Sequence, residues 1–121
     1  MLNCLAVGIG GFLGAVCRYL IGLIPVKETW LFPIKTFGIN ILGSFLIGMI
    51  AAAALKQNAL HPRLVLFLKV GICGGFTTFS SFALETGDLL KNGSPVIGFL
   101  YATLSILAGV LAVFAGEMVI H

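Results

Sequence analysis

Residues 71–82 read GICGGFTTFSSF. Two adjacent glycines, four hydroxyls and three phenyl rings stand close together, and these are residue types that can handle ions. Gly74 and Gly75 each weaken a helix by roughly 1 kcal/mol relative to alanine. Thr77 and Thr78 are stiff at χ1 and carry hydroxyls that can cap a new helix start. The pattern predicts a helix that stops near Gly74 and restarts after Thr77. A break of this kind frees carbonyl oxygens, and clustered carbonyls bind a hard cation such as Na⁺. If two inverted copies of the chain bring their breaks together on a common axis, the carbonyls of both enclose one ion. Phe79 and Phe82 are three apart and share one face of the restarted helix. An aromatic ring is negative on its face and positive at its edge, so a ring met edge-on attracts a small anion without carrying a formal charge. Ser80 and Ser81 place donors nearby. On spacing alone, ordinary packing is the simpler reading of the two rings.

Other polar residues stand in apolar surroundings. They are Arg18 in GGFLGAVCRY, Asn40 in GINILGSF, and Tyr101, Thr103 and Ser105 near the C-terminal end. Polar groups in hydrocarbon are costly and tend to face a partner or a water-filled path. Each also has a plainer use. Arg18 can snorkel to an interface, Asn40 can tie two helices together, hydroxyls can bond back to their own helix, and Tyr101 can sit in an interfacial belt. No carboxylate falls mid-segment; Glu85 and Asp88 are expected at the exit of the third segment and Glu117 near the C-terminus. A proton-coupled pump generally needs a buried acid or histidine as its relay, so the pattern argues for passive movement. No nucleophile–base pair or metal cluster is visible, which argues against an enzyme. Cys4, Cys17 and Cys73 lie in apolar segments and are expected as free thiols.

The elements that must position these residues are helices in a bilayer. The chain has 121 residues, 60% of them hydrophobic and only 9% charged, with a mean hydropathy of +1.15. A soluble domain needs about a quarter of its residues charged. A spanning helix takes roughly 20 apolar residues, and four segments qualify, at about 2–24, 33–55, 64–90 (broken at 74–78) and 96–118. They are uninterrupted rather than alternating, which favours helices over a β-barrel. The expected fold is an all-α membrane protein, one four-helix transmembrane domain over 1–121. The first segment lacks the basic n-region of a cleaved signal peptide. The net charge of +3 is spread along the chain and gives no sign of nucleic-acid binding.

Four spans place both termini and the 2–3 link on one side, with Lys56, Arg63 and Lys69. The other side has Arg18, Lys27, Lys35 and Lys91. Three against four is almost no bias for the positive-inside rule to act on. Either another feature sets a single orientation, or the chain inserts both ways and pairs with its inverted copy, and the near-balance favours the second. Small residues four apart, Gly10 and Gly14, Gly11 and Ala15, Ser44 and Gly48, suit close helix contacts, either between subunits or within one.

The segments GGFLGAVCRY, GINILGSFLIG and GICGGFTTFSSF, with YATLS in the fourth helix, together resemble the Fluc family of small bacterial fluoride channels, and the resemblance covers the whole chain. It implies an antiparallel, dual-topology homodimer with two fluoride pores. The break in the third helix looks like the family's central sodium site, with backbone carbonyls of Gly74 and Thr77 from each subunit as ligands and Na⁺ in a structural role. Phe79 and Phe82 match the family's pore phenylalanines, Asn40 its pore asparagine and Arg18 its vestibule arginine; Ser80, Tyr101 and Ser105 follow along the polar side of the pore. The implied role is passive export of toxic fluoride across the bacterial inner membrane by a multi-pass protein, with fluoride, the lipid bilayer and a second copy of itself as partners. The alternative is a small multidrug-type transporter, also a four-helix dual-topology dimer. That class would want an acid in the first helix for proton coupling, and the first helix has none. A non-transporting assembly subunit would explain the small-residue pairs but not the broken helix.

Overall fold

The computed structural model describes residues 1–27, 29–56 and 60–120, and every regular element among them is helical. Helix α1 spans Leu2–Gly22 and α2 spans Ile34–Lys56. The third span, Pro62–Lys91, is composite. It begins as α3 (Pro62–Val65), continues as a π-helical segment (Leu66–Cys73), tightens to α4 (Gly74–Phe76), and resumes as α5 (Phe79–Lys91). Helix α6 spans Pro95–Ile120. These make four spans long and apolar enough to cross a membrane, and the protein is a multi-pass membrane protein.

Local chemistry sets the ends. The His61 imidazole accepts the Arg63 amide at 3.0 Å, and Pro62 supplies a preset φ in the first turn. Lys35 donates from Nζ to the Gly22 carbonyl at 2.7 Å, and Lys56 donates to the Ile120 carbonyl at 2.9 Å. Both lysines bring positive charge to the negative end of a neighbouring helix. Gly93, at φ +84°, makes the left-handed turn between α5 and α6.

Helix α1 packs on the π-helical segment and α4, while α2 and α5 pack on α6. The contacts run backbone to backbone. A Cβ on Gly10 would stand 2.5 Å from the Phe67 carbonyl oxygen, and one on Gly75 would stand 2.6 Å from that of Gly11. Gly48 faces Val113 and Gly116 faces Phe45 with no more room. Gly10, Gly11, Gly14 and Gly48 are therefore used within the chain, where their missing side chains let helices meet closely in lipid. The core is small: Ile39, Cys73, Phe76 and Tyr101 are its buried apolar side chains among the described residues. Long rows of Leu, Ile, Val and Phe face outward on all four spans, as lipid or a second copy of the chain permits and water does not.

Two details depart from the sequence pattern. The interruption of the third span is narrower than 74–78. Gly74 keeps helical angles (φ −64°, ψ −37°), and the extended residues are Thr77 (−81°, 159°) and Thr78 (−148°, 118°). Gly75 is a glycine because α1 lies against it, and the break falls at the threonines, where a partner across the bundle holds the extended chain. The π-helical segment has no counterpart in the periodicity. Its bonds reach one residue further back, as when the Gly74 amide donates to the Lys69 carbonyl, and single extra residues of this kind cluster at functional sites.

Candidate functional site: two grooves joined at Thr78

The break is held by one side chain. Asn40, on α2, donates from Nδ2 to the Thr78 carbonyl at 3.0 Å and accepts the Thr78 amide on Oδ1 at 2.8 Å. This pair of bonds also fixes which way the Asn40 amide is turned, and it leaves one Nδ2 hydrogen for another acceptor. The Thr78 hydroxyl then accepts the Ser81 amide at 3.1 Å and caps α5. Gly43 makes room by lacking a side chain where the Thr77 methyl lies against α2.

The carbonyls of the break follow from these bonds. In a continuous helix the Gly74 carbonyl would take the Thr78 amide, and the Thr77 carbonyl would take the Ser81 amide. Here the first amide goes to Asn40 and the second to the Thr78 hydroxyl. The Gly75 carbonyl accepts Arg18 Nε at 3.3 Å, and that of Cys73 accepts both the Thr77 amide at 3.0 Å and the Thr77 hydroxyl at 2.9 Å. Gly74 is exposed, and the nearest atom to a Cβ there would be the Lys69 carbonyl oxygen at 3.9 Å. Nothing among the described residues requires a glycine at this position.

Thr78 lines two grooves. One, of about 380 Å³, is bordered by Asn40, Ser44, Thr77, Phe79, Phe82 and Ser105 among others, with no formally charged side chain on its walls. The Ser105 hydroxyl oxygen is buried there without a hydrogen-bond partner among the described residues, a donor left unsatisfied by them. The Phe79 and Phe82 centroids are 5.8 Å apart with the rings tilted by 53°, and Phe79 is 79% exposed. The second groove, of about 330 Å³, is bordered by Arg18, Lys35, Thr36, Ser81 and Glu85.

The family model described as CrcB-like protein, Camphor Resistance (CrcB), matches residues 5–117. The chain is 46% identical, over 98% of its own length and 94% of the relative's, to the fluoride-specific ion channel FluC of Chlorobaculum tepidum. It is 47% identical to the protein of that name from Ruminiclostridium cellulolyticum, over 98% of the chain and 92% of the relative. For the one from Methanopyrus kandleri the figures are 44%, 96% and 87%. The chain belongs to the CrcB-like family.

Within this CrcB-like chain, the residues singled out from sequence do not all share one place. Asn40, Phe79, Phe82 and Ser105 come together on the neutral groove, with Gly74 and Thr77 on its wall, and Arg18 lines the charged groove. Ser80 is exposed on α5 and borders neither groove. Tyr101 also borders neither. It is fully buried, its ring meets Phe82 edge-to-face at 5.1 Å and Phe32 at 5.3 Å, and its hydroxyl donates to Glu85 Oε1 at 2.8 Å. Tyr101 therefore packs directly on Phe82, a ring that borders the neutral groove.

Glu85 is the residue that the sequence reading passed over. Placed at the exit of the third helix by hydropathy, it instead lies well inside α5, where Thr36 donates to Oε2 at 2.8 Å and Tyr101 to Oε1. Within the third span as a whole, Pro62–Lys91, Glu85 lies toward the C-terminal end. The signal was available in helical phase: Phe82 and Glu85 are three apart, so an inward Phe82 brings Glu85 toward the same side. Thr36, Ser44 and Lys35 were missed for a different reason. Thr36 and Lys35 are single polar residues on α2 whose partners come from distant segments, and Ser44 borders the neutral groove.

Proposed function

We propose that the protein is a passive, fluoride-selective channel that lets fluoride leave the cytoplasm. The observation that carries this reading is the pair of grooves that meet at the Asn40–Thr78 link, one charged and one neutral. Near-full-length likeness to relatives named as fluoride-specific ion channels supports it. Arg18 and Lys35 in the charged groove draw anions by their field. The neutral groove offers the spare Asn40 hydrogen, the unpartnered Ser105 hydroxyl and the edges of Phe79 and Phe82. A fixed cation at that depth would trap a small anion, whereas neutral donors and ring edges bind it weakly enough for onward movement. Hydrogen fluoride enters cells neutral and ionises inside, so an open path for the anion suffices for export.

The working unit in this reading is an antiparallel, dual-topology homodimer in the cytoplasmic (inner) membrane. The three-against-four charge tally, the apolar outer surface and the 79% exposed Phe79 all support a second copy. A structural Na⁺ fits the same picture. The Gly74 and Thr77 carbonyls are released by the break, are hard oxygen donors suited to Na⁺, and belong to residues bordering one open groove. Bound there, the ion would supply positive charge that ties two breaks together. The multidrug-type alternative gains nothing, since α1 presents no acid.

Two experiments test the reading. Liposomes bearing the purified protein should release fluoride, measured with an electrode, with no proton gradient imposed; no release above empty liposomes would refute the channel. Single cysteines placed in the 1–2 and 2–3 links, in a background lacking Cys4, Cys17 and Cys73, should be labelled from outside intact cells in comparable fractions. Strict labelling of one link would mean a single orientation.

A further inference from the structure

We infer that Arg18 is a positioning residue for the cation proposed at the break, in addition to any pull it exerts on anions. The inference rests on the sodium reading above. Gly11, Gly14 and Arg18 are spaced to share one face of α1, and that face lies on the third span. Gly14 meets Ile72 and Phe76, and Gly11 meets Gly75. The same face then delivers Arg18 Nε to the Gly75 carbonyl at 3.3 Å. The small residues set the approach of the two backbones, and the guanidinium takes one oxygen of the break.

The consequence is angular. Successive carbonyls of a helix are turned about 100° from one another around its axis. With the Gly75 carbonyl held toward α1, the Gly74 carbonyl is turned about 100° from it around the axis, and Gly74 itself is exposed. Asn40 does the corresponding work on the far side of the break by taking both backbone groups of Thr78. Arg18 and Asn40 thus hold the chain before and after Thr77, at Gly75 and at Thr78, and the Gly74 and Thr77 oxygens are left to the ion.

Charge and geometry make opposite predictions for Arg18, so they can be separated. A guanidinium acting only through its field repels Na⁺, and its removal would leave sodium affinity equal or improved. A guanidinium that pins the Gly75 carbonyl orders the site, and its removal weakens sodium.

The test is the thermal midpoint of the purified dimer in detergent, titrated with sodium chloride against N-methylglucamine chloride at constant ionic strength. Wild type should be stabilised by sodium. Arg18→Leu should need about tenfold more sodium for half of that stabilisation, the scale of one lost charge-assisted hydrogen bond. Arg18→Lys, which keeps a donor and the charge, should recover part of the shift. If Arg18→Leu yields no dimer, Arg18→Gln replaces it and should raise the sodium midpoint at least about threefold, because a weaker neutral donor remains. An unchanged or lowered sodium midpoint in the folded Leu or Gln variant would overturn the inference while leaving the sodium site standing. A wild-type protein indifferent to sodium would overturn the sodium reading, and this inference with it.

Discussion

The two grooves meet at one residue and are built by opposite means. The charged one is closed by long-range hydrogen bonds: Thr36 and Tyr101 both reach Glu85, and Lys35 reaches across to Gly22. Lys35, Thr36 and Glu85 thereby have partners inside the chain. The neutral one has donors left over, the Ser105 hydroxyl and one hydrogen of Asn40, and a phenyl ring that projects out of the subunit. In the channel proposed above, the contrast separates two tasks. A region that only has to gather an ion can satisfy its own polar groups, whereas a region the ion must pass through has to keep some unsatisfied. Unmet donors in low dielectric are costly, and a built structure tolerates them where a ligand completes them.

The largest effects are expected where the neutral groove is altered directly. Asn40→Asp turns the donor facing the Thr78 carbonyl into a repelling oxygen and sets a negative charge on the anion's path. Fluoride efflux should fall to the level of empty liposomes. Phe79→Ile and Phe82→Ile should each slow efflux by at least about tenfold while the variants still elute as wild type does on size exclusion, since ring-edge attraction is lost and apolar bulk is kept. Near-wild-type flux in both would reduce the rings to packing and erase the distinction between the grooves.

Next come the adjacent glycines. Gly75→Ala puts a methyl 2.6 Å from the Gly11 carbonyl oxygen, and backbone cannot yield as a side chain can. Folded yield should drop severely, by roughly 1–3 kcal/mol of overpacking strain. Gly74→Ala meets nothing closer than 3.9 Å within the chain. Its subunit should fold, and any loss should appear in dimer retention and in the response to sodium. Equal behaviour of the two variants would mean that Gly74 is not at a subunit contact.

Tyr101→Phe tests whether the charged groove supports the neutral one. It removes one donor from Glu85 and keeps the ring against Phe82. Thermal stability should fall by about 1 kcal/mol, with flux reduced only a few-fold. A loss as large as that of Phe82→Ile would place Tyr101 in the path itself.

The smallest change is expected from Arg18→Ala on flux. Anion gathering by a surface field is screened by salt, so the deficit should be modest and should grow as ionic strength is lowered. A deficit that ignores salt would assign Arg18 wholly to the geometry of the break.

Hydropathy carried the architecture because a bilayer leaves so few options. Every backbone group in lipid must be bonded within its own element, so four runs of about 20 apolar residues can only be spans, and their expected ends lie within two residues of those observed. The identity of the neutral groove was legible for a related reason: Asn40 and the hydroxyls after Gly75 are conspicuous against hydrocarbon. Tertiary structure decided what depends on approach between segments far apart in the chain. It put the break at Thr77 and Thr78, because Asn40 is there to hold extended backbone and Gly11 holds Gly75 in helix. It joined Glu85 to Thr36 and Tyr101, and it packed the Tyr101 ring on Phe82 and Phe32. A single sequence records which groups are polar and how they are spaced along one helix. Which of them satisfy one another, and which are left for an ion, is fixed only when α1, α2, α5 and α6 meet.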